Sequence, residues 1–194
     1  MPQSLGNGFK IHRFVDAEHA GESLTRRLKT GFIFMLKNAH IYWYSKRQTK
    51  VETSTFGSEF MAMDQAAEYL RGLRYKLRMF GITVNGPDFI YGDNQLVLVN
   101  LSSPESILKK KSQSMELHFI REACTADDCR TTYIHTSLNV SDLTTKPLSG
   151  DKRWRFVRMI LHHILCGAWH FQNGRIAVWI RYRATETTLL ATTL

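Results

Sequence analysis

Residues 53–80, TSTFGSEFMAMDQAAEYLRGLRYKLRMF, decide the fold because apolar side chains recur in them at helical spacing. Phe56, Phe60 and Met63 open a series that continues on the same face to the end of the stretch. The Thr-Ser-Thr run at its start provides a capping hydroxyl, and Gly81 provides a stop. The stretch predicts one amphipathic helix of about 25 residues, long enough to cover a sheet.

Three strand-like segments precede this helix. Residues 10–17 alternate apolar and polar side chains and end near Asp16. Residues 31–36 and 41–45 are rich in β-branched and aromatic side chains, and Asn38 between them suits a turn. The segments predict an antiparallel meander of three strands ahead of the helix.

Shorter elements follow the long helix. We predict strands at 88–93 and 131–136, and helices at 94–101, 109–126, 141–145 and 153–165. This order predicts an α/β fold with a five-stranded mixed sheet, in which the antiparallel meander is followed by parallel strands and helices flank the sheet. We divide the chain into a flexible N-terminus (1–9), one domain (10–167) and a tail of uncertain structure (168–194), with a strand-like patch at 176–182.

The charge balance and the cysteine count narrow the class of protein. The 194 residues include 26 lysines and arginines against 17 aspartates and glutamates, a net charge of +9. This excess favours nucleic acid as a partner, ahead of an anionic membrane surface, although plain solubility explains it almost as well. Three cysteines argue against a disulfide framework and for a reducing compartment. The sequence has neither a signal peptide nor a membrane span, so we expect no membrane partner.

Four carboxylates lie at chemically suggestive places in this order of elements. Asp16 ends the first strand, Asp93 ends the fourth, Glu59 lies in the first turn of the long helix, and Asp142 begins a late helical segment. If the first and fourth strands are neighbours, these groups meet at one edge of the sheet. Clustered carboxylates repel one another unless cations neutralise them. The set therefore indicates a site for two Mg²⁺ ions, with Mn²⁺ as the alternative, as a two-metal nuclease requires. Each acid alone is explained equally well as a turn or cap residue.

Five blocks of sequence carry a family resemblance. FVDAEHAGE with TRRLKTGFIFML, WYSKRQTKVETSTFGSEFMAM, IYGDNQ, MELHFIRE and SDLTTKPL occur in this order. Together they resemble the ribonuclease H (RNase H) domain at the C-terminal end of copia-type LTR-retrotransposon polyproteins, over residues 12–165. The opening block departs from the family at Glu18, His19 and Glu22, and residues 56–58 differ just before the helical glutamate. None of these departures removes a predicted metal ligand.

The resemblance implies an RNase H-like fold and a specific reaction. The family's four metal-binding acids fall on Asp16, Glu59, Asp93 and Asp142, and His135 is the nearest match to a loop histidine that assists product release. The implied reaction is endonucleolytic hydrolysis of the RNA strand of an RNA–DNA hybrid, with no small-molecule cofactor. The family's reverse transcriptase domain is an implied partner missing from this chain. The implied location is intracellular, either cytoplasmic in a virus-like particle or nuclear.

Polar and basic residues near these blocks are predicted to contact the nucleic acid. Minor-groove donors are predicted at Ser58, Asn94 and Gln95, although Asn94 is an equally good helix cap. Phosphate contacts are predicted at Lys46, Arg47, Lys50, Arg71, Arg74, Lys109, Lys110 and Lys111, although an ordinary solvated face explains any single one of them as well.

Two other interpretations remain open at this point. The chain could be a catalytically inactive transposon remnant that folds and binds nucleic acid without cutting it. It could also be another member of the same superfamily, such as an integrase or resolvase core, although those typically carry a different acid pattern.

Overall fold

The computed structural model describes residues 9–18, 28–36, 39–48, 54–103, 105, 108, 111–161, 169–172, 175–181 and 186–190. At residues 111–112 and beyond 161 the description is limited to the backbone. The turn predicted at Asn38 lies outside these residues. Within the described residues, no helix combines the length and the apolar character needed to cross a membrane.

A five-stranded sheet forms the centre of the molecule. The first three strands are β1 (Ile11–Glu18), β2 (Lys29–Leu36) and β3 (Ala39–Arg47), and they pair antiparallel in chain order. Strands β4 (Asp88–Gly92) and β5 (Cys129–Tyr133) then add parallel to β1, which gives the order β3-β2-β1-β4-β5. The predicted fold class, a meander followed by parallel strands with flanking helices, is confirmed.

The long helix forms as its sequence predicts. Helix α1 spans Thr55–Met79, and the hydroxyl of Ser54 caps it by accepting a hydrogen bond from the Gly57 amide at 3.1 Å. The chain leaves the helix through Gly81, whose φ of 74° is easy for glycine and strained for other residues. The capping residue and the stop both match the sequence pattern.

The remaining helices of the core are α2 (Gln95–Ser102), α3 (Lys111–Thr125), α4 (Asp142–Thr145) and α5 (Gly150–Leu161). Two apolar clusters lie on the two faces of the sheet. One is formed under α1, α2 and α3 around residues such as Val15 and Phe60. The other includes Phe14 and Tyr91 from the sheet and Phe156 from α5. Side chains alternate between the two faces along β1, so Phe14 and Asp16 share the face that carries α5.

The last predicted strand differs in position. The pattern predicted residues 131–136, whereas β5 begins at Cys129, which pairs with Asp88. Parallel pairing with β4 sets the start of β5, and the chain turns at residues 136–138. Pairing with a neighbour, which local pattern does not contain, explains the shift of two residues.

The C-terminal segment has more regular structure than its sequence predicts. Strands β6 (Trp169–Gln172), β7 (Arg175–Arg181) and β8 (Glu186–Leu190) form a second antiparallel sheet in the order β6-β7-β8. The strand-like patch predicted at 176–182 corresponds to β7, which is the middle strand of this sheet. The neighbouring strands were missed because β6 has only four residues, and β8 contains two adjacent threonines followed by two adjacent leucines, so it does not alternate.

The structure does not support the phosphate contacts predicted at Arg71 and Arg74 of α1. Arg74 is buried, and its Nη1 donates a hydrogen bond to Asp88 Oδ2 at 2.8 Å. Arg71 is paired with Glu122 and Asp128 at 3.4 Å in each case. These guanidinium groups attach α1 to neighbouring elements, because acids from β4, α3 and the turn before β5 meet them. Both guanidinium groups are therefore engaged with acidic side chains of the protein.

Candidate active site

The register of the central strands brings two carboxylates to one edge. Phe14 of β1 lies opposite Tyr91 of β4 in the parallel pair, so the next residues on the same face are Asp16 and Asp93. Asp16 is fully buried, while Asp93, directly after β4, is partly exposed. The condition set by the sequence analysis, that the first and fourth strands be neighbours, is therefore met.

Helix α4 adds the third carboxylate. Asp142 is its first residue and is fully buried. The turn before α4 is fixed to β1, because the Asn139 side chain donates a hydrogen bond to the Val15 carbonyl at 2.9 Å. Ser45 of β3 donates another to the Thr144 carbonyl at 2.6 Å. These two contacts hold a short helix, which has little stability of its own, against the sheet.

A glycine on β2 permits the close approach of α4. A Cβ atom added at Gly31 would lie 2.0 Å from Thr144 Oγ1 and 2.5 Å from Thr145 Cγ2. Threonine side chains are short and stiff, so they have little room to move aside. Gly31 therefore allows α4 to pack close enough for Asp142 to reach the carboxylate of Asp16.

Ligand oxygens of Asp16, Asp93 and Asp142 all lie within 4.8 Å of one another. Burial raises the pKa of Asp16, and the neighbouring Asp142 raises it further, while Lys146 and Thr145 oppose the rise. This all-carboxylate set fits a hard divalent cation, which takes oxygen ligands and would relieve the repulsion. The donor chemistry and the burial both agree with a metal centre.

Glu59 lies beside this cluster without joining its closest group. Burial raises the pKa of Glu59 well above its usual range, and the charges of Asp16 and Asp93 raise it further. The first turn of α1, which carries Glu59, is tied to the sheet by Gln48, whose Nε2 donates to the Ser58 carbonyl at 3.1 Å. The position of Glu59 suits a ligand that approaches the three aspartates from the opposite face.

Two lysines that the sequence analysis did not single out contact the cluster. Lys146 Nζ lies 3.0 Å from Asp16 Oδ1 and 3.1 Å from Asp142 Oδ1. Lys152 Nζ lies 2.5 Å from Asp142 Oδ2. Burial alone would lower the pKa of Lys146, but the attraction of the two aspartates outweighs it and raises the pKa. The spacing of four residues between Asp142 and Lys146 was the available signal.

His135 lies exposed beyond β5. Its Nδ1 accepts a hydrogen bond from the Ser137 amide at 3.2 Å and lies 2.8 Å from the Ser137 hydroxyl. The contact with Ser137 orients the ring and directs Nε2 away from it. A role in product release stays a prediction.

The predicted minor-groove donors differ in how available they are. Ser58 is fully buried, and its hydroxyl donates to the Thr55 carbonyl at 2.8 Å, so the structure does not support a contact with nucleic acid. Asn94 caps α2, and its Oδ1 accepts hydrogen bonds from Leu96 and Val97. Its amide nitrogen is not used in that cap. Gln95 is exposed at the start of α2, and its contact with nucleic acid stays a prediction.

The predicted phosphate contacts divide in the same way. Lys46 and Arg47 are exposed at the end of β3, and Lys46 Nζ lies 5.6 Å from the centre of the Tyr44 ring. Arg71 and Arg74 form the ion pairs described above. Lys50, Lys109 and Lys110 lie outside the described residues, as does the side chain of Lys111. The sequence analysis missed an exposed basic series on α5, formed by Arg153, Arg155 and Arg158.

The chain is similar in sequence to one segment of much longer known proteins. No family model matches the sequence. The chain is 28% identical over 155 residues to the retrovirus-related Pol polyprotein from transposon RE2 of Arabidopsis thaliana, which covers 80% of this chain and 11% of the relative. It is 26% identical over 139 residues to the Pol polyprotein from transposon TNT 1-94 of Nicotiana tabacum, covering 72% of this chain and 10% of that one. The chain thus spans about a tenth of the length of these relatives.

Solved structures give the fold a name. The chain is similar to LC11-RNase H1, solved in complex with an RNA/DNA hybrid, with a TM-score of 0.55 and 16% identity over 70% of this chain and 94% of that one. RNase H1 from Halobacterium salinarum NRC-1 gives a TM-score of 0.51 and 17% identity with the same coverage. Likeness at this identity shows the fold, which is that of RNase H. The sequence relatives and the fold confirm the resemblance to an RNase H domain of a copia-type polyprotein.

Proposed function

We propose that this RNase H-fold chain, related to retrotransposon Pol polyproteins, is a metal-dependent endonuclease that hydrolyses the RNA strand of RNA–DNA hybrids. The observation that carries the proposal is the meeting of Asp16, Asp93 and Asp142, whose ligand oxygens lie within 4.8 Å of one another. The three acids come from two strands and a helix that are far apart in sequence. Carboxylates that converge in this way repel one another unless cations neutralise them, and a divalent ion adds to what the neighbouring lysines supply.

Some residues of the site would bind the metal, and others hold the binding carboxylates in position. Asp16, Asp93 and Asp142 would hold Mg²⁺ or Mn²⁺, with Glu59 approaching from α1. A pair of bound divalent ions supplies an activated water and stabilises the leaving 3′-oxygen. Thr145 donates a hydrogen bond to Asp16 Oδ2, which fixes the rotamer of that carboxylate. The Asn139–Val15 hydrogen bond, at 2.9 Å, keeps Asp142 in register with β1.

Basic residues close to the cluster support a polyanionic substrate. Lys46 and Arg47 are exposed on β3, and β3 contacts both α4 and α5. Three further basic residues are exposed on α5: Arg153, Arg155 and Arg158. Hybrid recognition would come from the shape of the duplex and from 2′-hydroxyl contacts, to which Gln95 and the free amide of Asn94 can donate. Binding should therefore weaken as salt is raised. A reverse transcriptase domain remains the proposed partner.

An intracellular location, in the cytoplasm or the nucleus, is part of the proposal. It is supported by the small number of cysteines, three in 194 residues, which is unlike the composition of a disulfide-stabilised secreted domain.

Cleavage of a labelled hybrid by the whole chain tests the proposal. We expect cutting of the RNA strand in Mg²⁺ or Mn²⁺, and its loss with a chelator. Asp16→Asn should lower the rate by about 100-fold or more, the scale of losing one preorganised electrostatic contact. The matched control is Asp127→Asn, because Asp127 is an exposed aspartate whose φ of 56° asparagine tolerates.

Three outcomes would contradict the proposal. Hybrid binding without cleavage by the wild-type chain would indicate the inactive remnant. Cleavage of double-stranded DNA in preference to the hybrid would indicate an integrase or resolvase activity. Cleavage that survives Asp93→Asn would place the active site elsewhere.

A further inference from the structure

The ammonium group of Lys146 lies between two carboxylates of the acidic cluster. Its Nζ is almost equally distant from Asp16 Oδ1, at 3.0 Å, and Asp142 Oδ1, at 3.1 Å. An ammonium group is a compact charge with three donors, and here two of them reach different carboxylates. Lys146 therefore bridges two of the three proposed metal ligands.

A bridging ammonium and a metal ion compete for the same oxygens. Mg²⁺ takes carboxylate oxygens at about 2.0–2.1 Å, far closer than the ammonium stands. Two cations bound to the same pair of oxygens at these distances repel one another strongly. Binding of a divalent ion between Asp16 and Asp142 thus requires the ammonium of Lys146 to move.

The surroundings of Lys146 allow that movement. Lys146 is the residue that ends α4, in extended backbone conformation, and its side chain is 32% exposed. Its long flexible stem can carry the charge to solvent without a change in the fold. Of the two bridged carboxylates, Lys152 is seen to contact only that of Asp142, through Oδ2, and its Nζ also lies 5.3 Å from the centre of the Phe156 ring. Thr145 continues to hold Asp16 when Lys146 leaves.

We infer that Lys146 is an internal counter-ion that stabilises the metal-free acidic cluster and that a divalent cation must displace to bind. The inference rests on the proposed function, because it assumes that the cluster is a metal site. It adds a regulatory property, because the apparent affinity for the metal then depends on competition between Lys146 and the ion for the same oxygens. The lysine is a positioning residue, because it contacts the carboxylates and does not touch the substrate.

Amine labelling of the wild-type chain tests displacement without any substitution. Brief reductive methylation, read by mass spectrometry, measures how accessible each lysine is. We expect the labelling rate of Lys146 to rise when Mn²⁺ is added, while that of Lys76, in the last turn of α1, stays constant. A Lys146 rate that does not change with Mn²⁺ at concentrations that saturate the chain would overturn the inference.

Direct titration of Mn²⁺ by electron paramagnetic resonance tests the competition. Because removing the ammonium leaves Mn²⁺ without a competitor for the oxygens of Asp16 and Asp142, Lys146→Met should tighten Mn²⁺ binding by about tenfold or more, the scale of one close charge–charge interaction. The same substitution should lower the melting temperature of the metal-free chain. Lys76→Met removes one positive charge far from the cluster and should leave the affinity unchanged. Lys146→Gln serves as the second variant if Lys146→Met does not fold.

The outcomes separate this inference from the proposed function. Equal Mn²⁺ affinity in wild type and Lys146→Met overturns the counter-ion role and leaves the metal site intact. Mn²⁺ binding by neither chain overturns both. Tighter binding by the variant, together with hybrid cleavage that still depends on Asp16, supports both.

Discussion

Asp16 shows how single residues at this edge combine burial with charge. Its side chain is fully buried, and isolated burial of a carboxylate is costly. The hydroxyl of Thr145 and the ammonium of Lys146 offset that cost by contacting one oxygen each. The cluster is therefore held in place by polar contacts, whose directionality fixes the carboxylates more tightly than apolar packing would.

His12 gives a prediction of pH dependence at the residue scale. It lies in β1 with its Nδ1 3.2 Å from the Tyr91 hydroxyl, and burial, helped by Lys10 and Arg13, lowers its pKa to about 3. The unfolded chain takes up a proton near pH 6.5, whereas the folded chain does not. The contribution of His12 to the free energy of unfolding should thus fall by about 1.4 kcal/mol per pH unit as pH drops from 6.5 towards 3.

Urea unfolding at several pH values between 7 and 4 checks this slope. The variant His12→Asn keeps a polar atom near the position of Nδ1 but cannot titrate, so its unfolding free energy should vary less with pH than that of wild type. The comparison cancels the contributions of all carboxyl groups. Identical slopes for the two proteins would show that His12 has the same pKa in the folded and unfolded chains, and would contradict the prediction.

Residue roles were predictable from the sequence where one residue type is required by the chemistry. The order of Asp16, Asp93 and Asp142 could be read because metal centres demand carboxylates. Beyond the four-residue spacing of Asp142 and Lys146, the contacts of the two lysines could not be predicted, because a lysine is well solvated at most surface positions and its partners depend on how α4 meets β1. Ser58 shows the opposite failure, since a hydroxyl suited to a groove contact is used inside its own helix.

At the scale of elements, arginines set how α1 sits on the sheet. Arg13 of β1 is fully buried, donates to the Ala66 carbonyl of α1 at 2.6 Å, and lies over the Phe34 ring. Arg74 of α1 returns to β4 through Asp88. Periodicity predicted the helix itself but not the burial of Arg74, because a helical pattern carries no information about acids on other elements.

Replacing Arg74 tests this attachment. Asp88, the partner of Arg74, is itself fully buried and accepts a hydrogen bond from the Ile11 amide at 2.7 Å. Arg74→Met would leave that carboxylate unpaired, which costs about 3–5 kcal/mol. Arg78→Met, an exposed position on the same helix, should change the unfolding free energy by less than about 0.5 kcal/mol. Equal effects in chemical denaturation would contradict the assignment.

The packing of α4 against β2 gives a second prediction at this scale. Gly31→Ala places a methyl group against Thr144 and Thr145, so α4 must shift and carry Asp142 with it. We expect a loss of about 1–3 kcal/mol in stability, as for overpacked sites, and weaker Mn²⁺ binding. Gly72→Ala is the matched control, because a Cβ at Gly72 meets open space and should stabilise α1 by up to about 1 kcal/mol. Unchanged Mn²⁺ affinity in Gly31→Ala would show that α4 tolerates the methyl group.

At the scale of the whole molecule, the sheet order explains why the site lies where it does. Strand β1 is central, with the meander on one side and β4 and β5 on the other. The carboxylates meet at the edge of the sheet where β1 and β4 both end, and this is also where the antiparallel and parallel halves of the sheet adjoin. The sequence predicted the strands, their order along the chain and the meander, but the pairing of β1 with β4 comes from the structure, since period-two alternation is identical for either neighbour.

Truncation tests whether the core folds without its tail, as the predicted boundary at residue 167 requires. The two apolar clusters draw their described members from positions 11 to 160. A chain ending at residue 167 should therefore unfold cooperatively, with the same denaturant midpoint as the full chain. A chain ending at residue 149 loses Phe156 and Met159 of α5, each a loss of about 2–5 kcal/mol, and should not fold stably. Loss of cooperative unfolding in the longer truncation would make residues 168–194 part of the same folding unit.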